Sequence, residues 1–182
     1  MYGMIHRGLR QMVIDTRGEA SWARLAARAG VGPQHLLTGA PYDDALTMAV
    51  VGACREDLDL DVDAVLETFG EYWVDYAASG PYARLMGMAG GDLPTFIENL
   101  DRLHQSVQSV LADARLPRFS VVRQRPGEIA VAYDSDRGGL EPFVKGLLKG
   151  LIARFGLRGE VSIGDRVEAG RVFEIAYAPG PS

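Results

Sequence analysis

Apolar residues recur at three-and-four spacing through most of the chain, then alternate with polar ones towards its end. Residues 2 to 16 place Ile5, Leu9, Met12 and Val13 on one helical face, and Arg17-Gly18 breaks the pattern. A second short helix is expected from about Ser21, with Trp22, Leu25, Ala26 and Ala29 inward and Gly30 at its end. Asp43 or Asp44 can cap a third helix running to Cys54. Asp57 to Asp63 alternates acid with Leu58, Leu60 and Val62. It reads as a loop and a helix start, because it lacks the turn glycine of a calcium loop. The next helix, Val62 to Ala77, turns Val65, Leu66, Phe69 and Trp73 inward and stops at Gly80-Pro81. A short element from Tyr82 to Met88 leads to Gly90-Gly91.

The clearest pattern follows. Asp92 is placed as a cap, Pro94 sits in the first turn, and Phe96, Ile97, Leu100, Leu103, Val107, Val110 and Leu111 share one face. This predicts one long helix with His104 in the middle of its apolar face, pointing at the core. After Pro117 the period changes. Phe119 to Gln124 and Glu128 to Ser135 read as strands about the Pro126-Gly127 turn. Leu140 to Phe155 reads as a helix with Leu140, Phe143, Val144, Leu147, Leu148, Leu151 and Phe155 mainly inward. Glu160 to Val167 and Arg171 to Tyr177 make a closing hairpin about Ala169-Gly170. The expected class is α+β: a mainly helical N-terminal half, then a four-stranded antiparallel sheet with helices.

Composition narrows the function. The chain has 182 residues, 47% hydrophobic and 24% charged, which suits one domain with a sizeable core. A formal charge of −5 gives no basic footprint for nucleic acid. No apolar run approaches the roughly 20 residues that span a membrane, and His6, Arg7, Arg10 and Gln11 interrupt any secretory segment. The single cysteine, Cys54, excludes an internal disulfide and a cysteine-cluster zinc site, and fits a cytoplasmic protein. Gly-x-Ser-x-Gly, His-Glu-x-x-His and phosphate-loop motifs are missing from the sequence, so an enzyme is not expected.

Two features carry chemistry. His104 is either a core histidine bonded to a backbone carbonyl or a metal ligand. Tyr133-Asp134-Ser135-Asp136-Arg137 ends the second strand. If that strand persists, Tyr133, Ser135 and Arg137 face one way, and all three donate hydrogen bonds. The bland alternative is a solvated strand end. Together they suit a ligand with a metal, an apolar body and an acidic edge, and heme has all three.

The Tyr-x-Ser-x-Arg pattern after a helix carrying Leu103-His104 resembles the heme–nitric oxide/oxygen binding (H-NOX) family. That family includes the regulatory domain of soluble guanylate cyclase and bacterial stand-alone gas sensors. Met1-Tyr2-Gly3-Met4-Ile5, Tyr42-Asp43-Asp44, Phe69-Gly70-Glu71-Tyr72, Phe96-Ile97-Glu98-Asn99-Leu100, Gly139-Leu140 and Lys145-Gly146-Leu147 follow in family order. The resemblance implies one domain over 1–182. A helical distal part of about 1–90 and a proximal part of about 91–182 would hold heme b (iron protoporphyrin IX) buried between them. It implies His104 as the proximal ligand beside Leu103, Tyr133, Ser135 and Arg137 at the propionates, and Pro117 against the porphyrin. Ile5, Trp73, Phe143 and Leu147 match distal wall positions. Phe143 stands where oxygen-holding members place a donor tyrosine, so nitric oxide and CO are expected as ligands and oxygen is disfavoured. Oxygen binding stays open if Trp73 or a tyrosine donates, as does a non-heme regulatory module on the same fold. The implied partner is a separate histidine kinase or cyclic-di-GMP enzyme.

Overall fold

A computed structural model describes residues 1–80, 82–111 and 113–180. The chain divides into two compact units, Met1–Phe69 and Gly70–Ser182.

The first unit holds α1 (Gly3–Arg17), α2 (Glu19–Ala29), a 3-10 turn (Pro33–Leu36), α3 (Asp44–Leu58) and the start of α4 (Val62–Ser79). Helix α1 packs on α2 and α3, with Leu9, Met12 and Val13 buried, and Trp22 and Leu25 buried on α2. Ala26 and Ala29, expected inward, are only half-buried. Gly30 adopts φ 68, ψ 26 and ends α2, and the N–H of Val31 reaches back to Ala26. Asp43 is the cap of α3, its side chain accepting from Ala45 N at 2.8 Å. Helix α3 continues past the expected stop at Cys54, through Leu58. Asp59, left-handed at φ 56, ends it, and Asp61 caps α4 through Ala64 N at 2.7 Å. The acidic run is therefore a C-terminus, a turn and an N-cap in succession.

Missed in the sequence was His6, which is fully buried. Its Nδ1–H donates to the His35 carbonyl at 2.9 Å, and Nε2 accepts from the Thr47 hydroxyl at 2.8 Å.

The second unit holds the rest of α4, then α5 (Ala83–Ala89), α6 (Leu93–Glu98), α7 (Leu100–Gln108), β1 (Arg118–Arg125), β2 (Glu128–Asp134), α8 (Glu141–Arg154), β3 (Leu157–Val167) and β4 (Gly170–Pro179). The strands form one antiparallel sheet in the order β1-β2-β4-β3, so the expected fold class holds. Tyr133 pairs with Phe119 and Arg171, and Val131 with Val121 and Phe173. Ile129, Val131, Phe173 and Ile175 from the sheet meet Val144, Leu148 and Leu151 of α8 and Phe96 and Ile97 of α6 in one core. Gly80 follows the last residue of α4, as expected; Pro81 lies outside the described residues. The turn between β3 and β4 is Glu168-Ala169, one residue earlier than the spacing suggested, with Gly170 (φ 122) opening β4.

The largest departure concerns the long helix through His104. It is two helices, broken at Asn99 (φ −93, ψ 1). The Asn99 side-chain amide donates to the Ala89 carbonyl at 2.9 Å, tying the break to the end of α5. The break changes which residues are buried. Phe96 and Ile97 on α6 enter the core, Leu100 and Leu103 on α7 only lean against it, and Val110 is 81% exposed.

Candidate functional site

His104 sits at i+3 and i+4 from Asp101 and Leu100, so it lies at the border of the α7 faces rather than mid-way along an apolar one. Asp101, His104, Gln105 and Gln108 line one wall of a cleft of about 680 Å³. Arg115, Leu116, Pro117 and Arg118 line another, with Asp134, Ser135 and Asp136 beyond. The imidazole is half-buried, tilted against the Phe119 ring at 5.6 Å.

The Pro117 carbonyl lies 2.9 Å from His104 Nδ1. A carbonyl can only accept, so Nδ1 carries the proton and Nε2 keeps its lone pair. Burial lowers the pKa of His104, opposed by the Pro117 carbonyl and by Asp101. The neutral form, the one that ligates metals, is thereby favoured. Two residues on, the N–H of Phe119 donates to Asp101 at 2.6 Å. Helix α7 is thus stapled twice to the start of β1.

Strand β2 stops at Asp134, so Ser135 and Arg137 lie beyond it. The alternation nevertheless persists: Tyr133 buried, Asp134 exposed, Ser135 half-buried, Asp136 exposed, Arg137 half-buried. Tyr133 is 4% exposed, its ring against Phe119 and Phe173. Burial raises its pKa, an effect that the neighbouring Ser135 side chain opposes. Ser135 Oγ accepts from Arg137 N at 3.1 Å. The Arg137 guanidinium donates to the Arg115 carbonyl, and Arg115 pairs with Asp136 at 3.1 Å. The structure therefore brings His104, Pro117 and Ser135 to one cleft, with the Arg137 N–H bonded to Ser135 and Tyr133 beside it.

Trp73, Phe143 and Leu147 are half-buried on α4 and α8. A Cβ on Gly70 would stand 2.2 Å from the Phe143 carbonyl and 2.7 Å from Leu147 N. The two helices thus touch backbone to backbone beside those residues. Leu103 is half-buried against the core. Ile5 is half-buried in the first turn of α1, in the first unit. Sequence reasoning missed Asp101, Arg115 and Asp136, whose partners are backbone groups or distant charges. Gly70 carried a readable signal: a glycine inside a helical pattern.

The donor set suits a heme. Nε2 offers an axial nitrogen, and Tyr133, Ser135 and Arg137 offer hydroxyls and a guanidinium to carboxylates. Among the described residues, no group of three or more His, Cys, Asp or Glu side chains is placed to hold a metal ion. A metal at His104 would have to bring its other donors with it, as a porphyrin does.

A family model described as "Haem-NO-binding" matches residues 2–163. Soluble guanylate cyclase gcy-32 of Caenorhabditis elegans is 30% identical over 158 residues, 85% of this chain and 23% of the cyclase. The chain therefore spans about a quarter of the length of such relatives. Among solved structures, an H-NOX protein from S. oneidensis in the Fe(II)NO state superposes with a TM-score of 0.85 at 20% identity, over 98% of this chain and 99% of the other. An oxygen-binding H-NOX domain related to soluble guanylate cyclases, in its oxygen complex, gives 0.82 at 18%, over 100% and 98%. At these identities the likeness concerns the fold, which gas-binding members of both kinds share. The match along nearly the whole sequence, over the helices and strands that carry His104 and the Tyr133–Arg137 segment, places this chain in the haem-NO-binding family.

Proposed function

We propose that this chain is a heme-based sensor of nitric oxide and CO that disfavours oxygen and passes its state to a separate protein. The observation that carries this reading is the His104–Pro117 hydrogen bond, which leaves a neutral Nε2 with its lone pair for a metal. Heme b, held by His104, would supply a ferrous iron able to take a diatomic gas.

The remaining work belongs to the chain. Arg137, with Tyr133 and Ser135, orients the acidic edge of the cofactor. Pro117 and Leu103 would pack against the ring near His104, while Trp73, Phe143 and Leu147 would wall the gas side. Phe143 donates no hydrogen bond. A buried hydrogen bond nets roughly 0.5–1.5 kcal/mol, so its lack costs oxygen about three- to tenfold in affinity. Nitric oxide needs no such help. His104 would tie α7 to the cofactor, and a partner that prefers one position of α7 would read a change in that tie. The kind of partner follows the resemblance: a histidine kinase or a cyclic-di-GMP enzyme in the cytoplasm.

An absorption spectrum of protein produced with heme supplied tests the reading. A strong Soret band that His104→Ala largely removes is expected, and ferrous protein equilibrated with air should show no lasting oxygen spectrum. Full heme retention in His104→Ala would remove His104 from its role. A colourless, folded wild-type protein would favour a non-heme module. The Trp73 indole and the tyrosines around it support a second reading, in which one of them donates and oxygen is held.

A further inference from the structure

Trp73 stands between two tyrosine rings. Its indole centroid lies 5.6 Å from that of Tyr76, tilted by 39°, and 6.3 Å from that of Tyr82, within 30° of parallel. Tyr76 in turn stacks on Tyr72 at 6.2 Å and 23°. Tyr76 is three residues further along α4, so the two share a helix face. Tyr82 comes from outside that helix, as the residue that opens α5. All four rings are half-buried, and the deep core contact of this turn is made by Val74 instead. The stack is thus not simply core filling.

An indole flanked by a ring from its own helix and a ring from the next element cannot turn without displacing one of them. Offset and tilted pairs at these distances are favourable geometries for aromatic rings. The helix beneath is equally constrained, because Gly70 brings α4 into backbone contact with α8 at Phe143 and Leu147. Gly150 repeats the close approach from the other side, against the Glu71 carbonyl and Val74. A wall that cannot yield discriminates by shape, since an oversized ligand must then pay the whole steric cost.

We propose that Tyr76 and Tyr82 are positioning residues that lock the Trp73 indole, making it a rigid wall that admits diatomic ligands and rejects larger iron ligands such as alkyl isocyanides. This rests on the reading above that Trp73 faces the gas. The aromatic rings, rather than their hydroxyls, carry the effect.

The experiment compares CO and n-butyl isocyanide affinities of the ferrous holo-protein in the wild type, Tyr82→Leu, Tyr76→Leu and Tyr82→Phe. Loss of either ring should raise isocyanide affinity relative to CO by about tenfold, the scale of a pocket that gains room for a few methylenes. Tyr82→Phe should leave the ratio unchanged. Fluorine NMR of protein carrying 5-fluorotryptophan gives a readout independent of gas binding. The Trp73 resonance, assigned by its loss in Trp73→Phe, should be single and narrow in the wild type, and broadened or split in Tyr82→Leu. An unchanged ratio in both leucine variants, with the Soret band intact, would overturn the proposal while leaving the heme reading standing. A shift produced by Tyr82→Phe alone would also overturn it, by assigning the effect to the hydroxyl. Failure of the wild-type protein to take up heme would overturn both.

Discussion

The Asp101 carboxylate accepts the backbone N–H of Phe119 at 2.6 Å, one turn before His104 on the same helix. His104 itself donates to the Pro117 carbonyl. Together these bonds fix the position and the tautomer of the imidazole. A hydrogen bond to a charged group contributes about 1.5–3 kcal/mol. Asp101→Ala should therefore lower apo-protein stability by an amount of that order, measured as the shift in urea midpoint. In the heme-loaded protein the iron–histidine stretching band should move by resonance Raman. Asp101→Asn, which keeps an acceptor, should recover most of both. An unmoved band in the alanine variant would show that the staple does not reach the imidazole.

Acid should destabilise the heme-free protein through two histidines, the buried His6 and the half-buried His104. Burial lowers the pKa of both His6 and His104 from the usual 6.5. A lowered histidine pKa means that the unfolded chain binds the proton more readily. The stability these residues contribute is complete above about 6.5 and is lost as pH falls below it, through their folded values. Urea midpoints measured from pH 8 to pH 5 should fall most steeply below 6.5. His6→Gln should flatten the curve, even though it costs stability at neutral pH through the bonds to His35 and Thr47.

Two helical glycines should respond oppositely to alanine. At Gly70 a methyl group would meet the Phe143 carbonyl at 2.2 Å. Backbone cannot step aside cheaply, so Gly70→Ala should destabilise by roughly 1–3 kcal/mol, the scale of overpacking. At Gly52, within α3, a methyl group meets nothing within 4 Å. There Gly52→Ala should stabilise by about 0.4–1 kcal/mol through the unfolded chain. Melting temperatures of the pair decide the matter, and equal shifts would refute the assigned contact.

Cys54 is fully buried, and desolvation pushes its thiol up to about 12. The thiolate is the reactive form, so the native protein should resist maleimide at pH 7.5. Labelling should appear only as the protein opens in denaturant, in step with the loss of helical circular dichroism. Rapid native labelling would contradict the burial.

Much of this was legible in the residues. Period-two alternation located β1 and β2, and glycine and proline marked most element ends. Tyr133, Ser135 and Arg137 stood out because hydroxyl and guanidinium donors fell at strand spacing. What the pattern could not carry was the break at Asn99. At that residue the side chain bonds to Ala89, ten residues back, and spacing of apolar residues is blind to such a bond. The same blindness hid Asp101, which looks like a solvated charge until its bond to the Phe119 N–H is known. His6 counts in the sequence only as a polar residue that interrupts a secretory segment, since its partners, His35 and Thr47, lie far along the chain.

The Arg115 carbonyl is held by Arg137, and the Pro117 carbonyl, two residues later, is held by His104. One short strip of chain therefore has a hand on each. Tilting that strip pulls the imidazole and the guanidinium in concert, so a tug begun at either one arrives at the other along peptide bonds, bypassing the oily interior altogether.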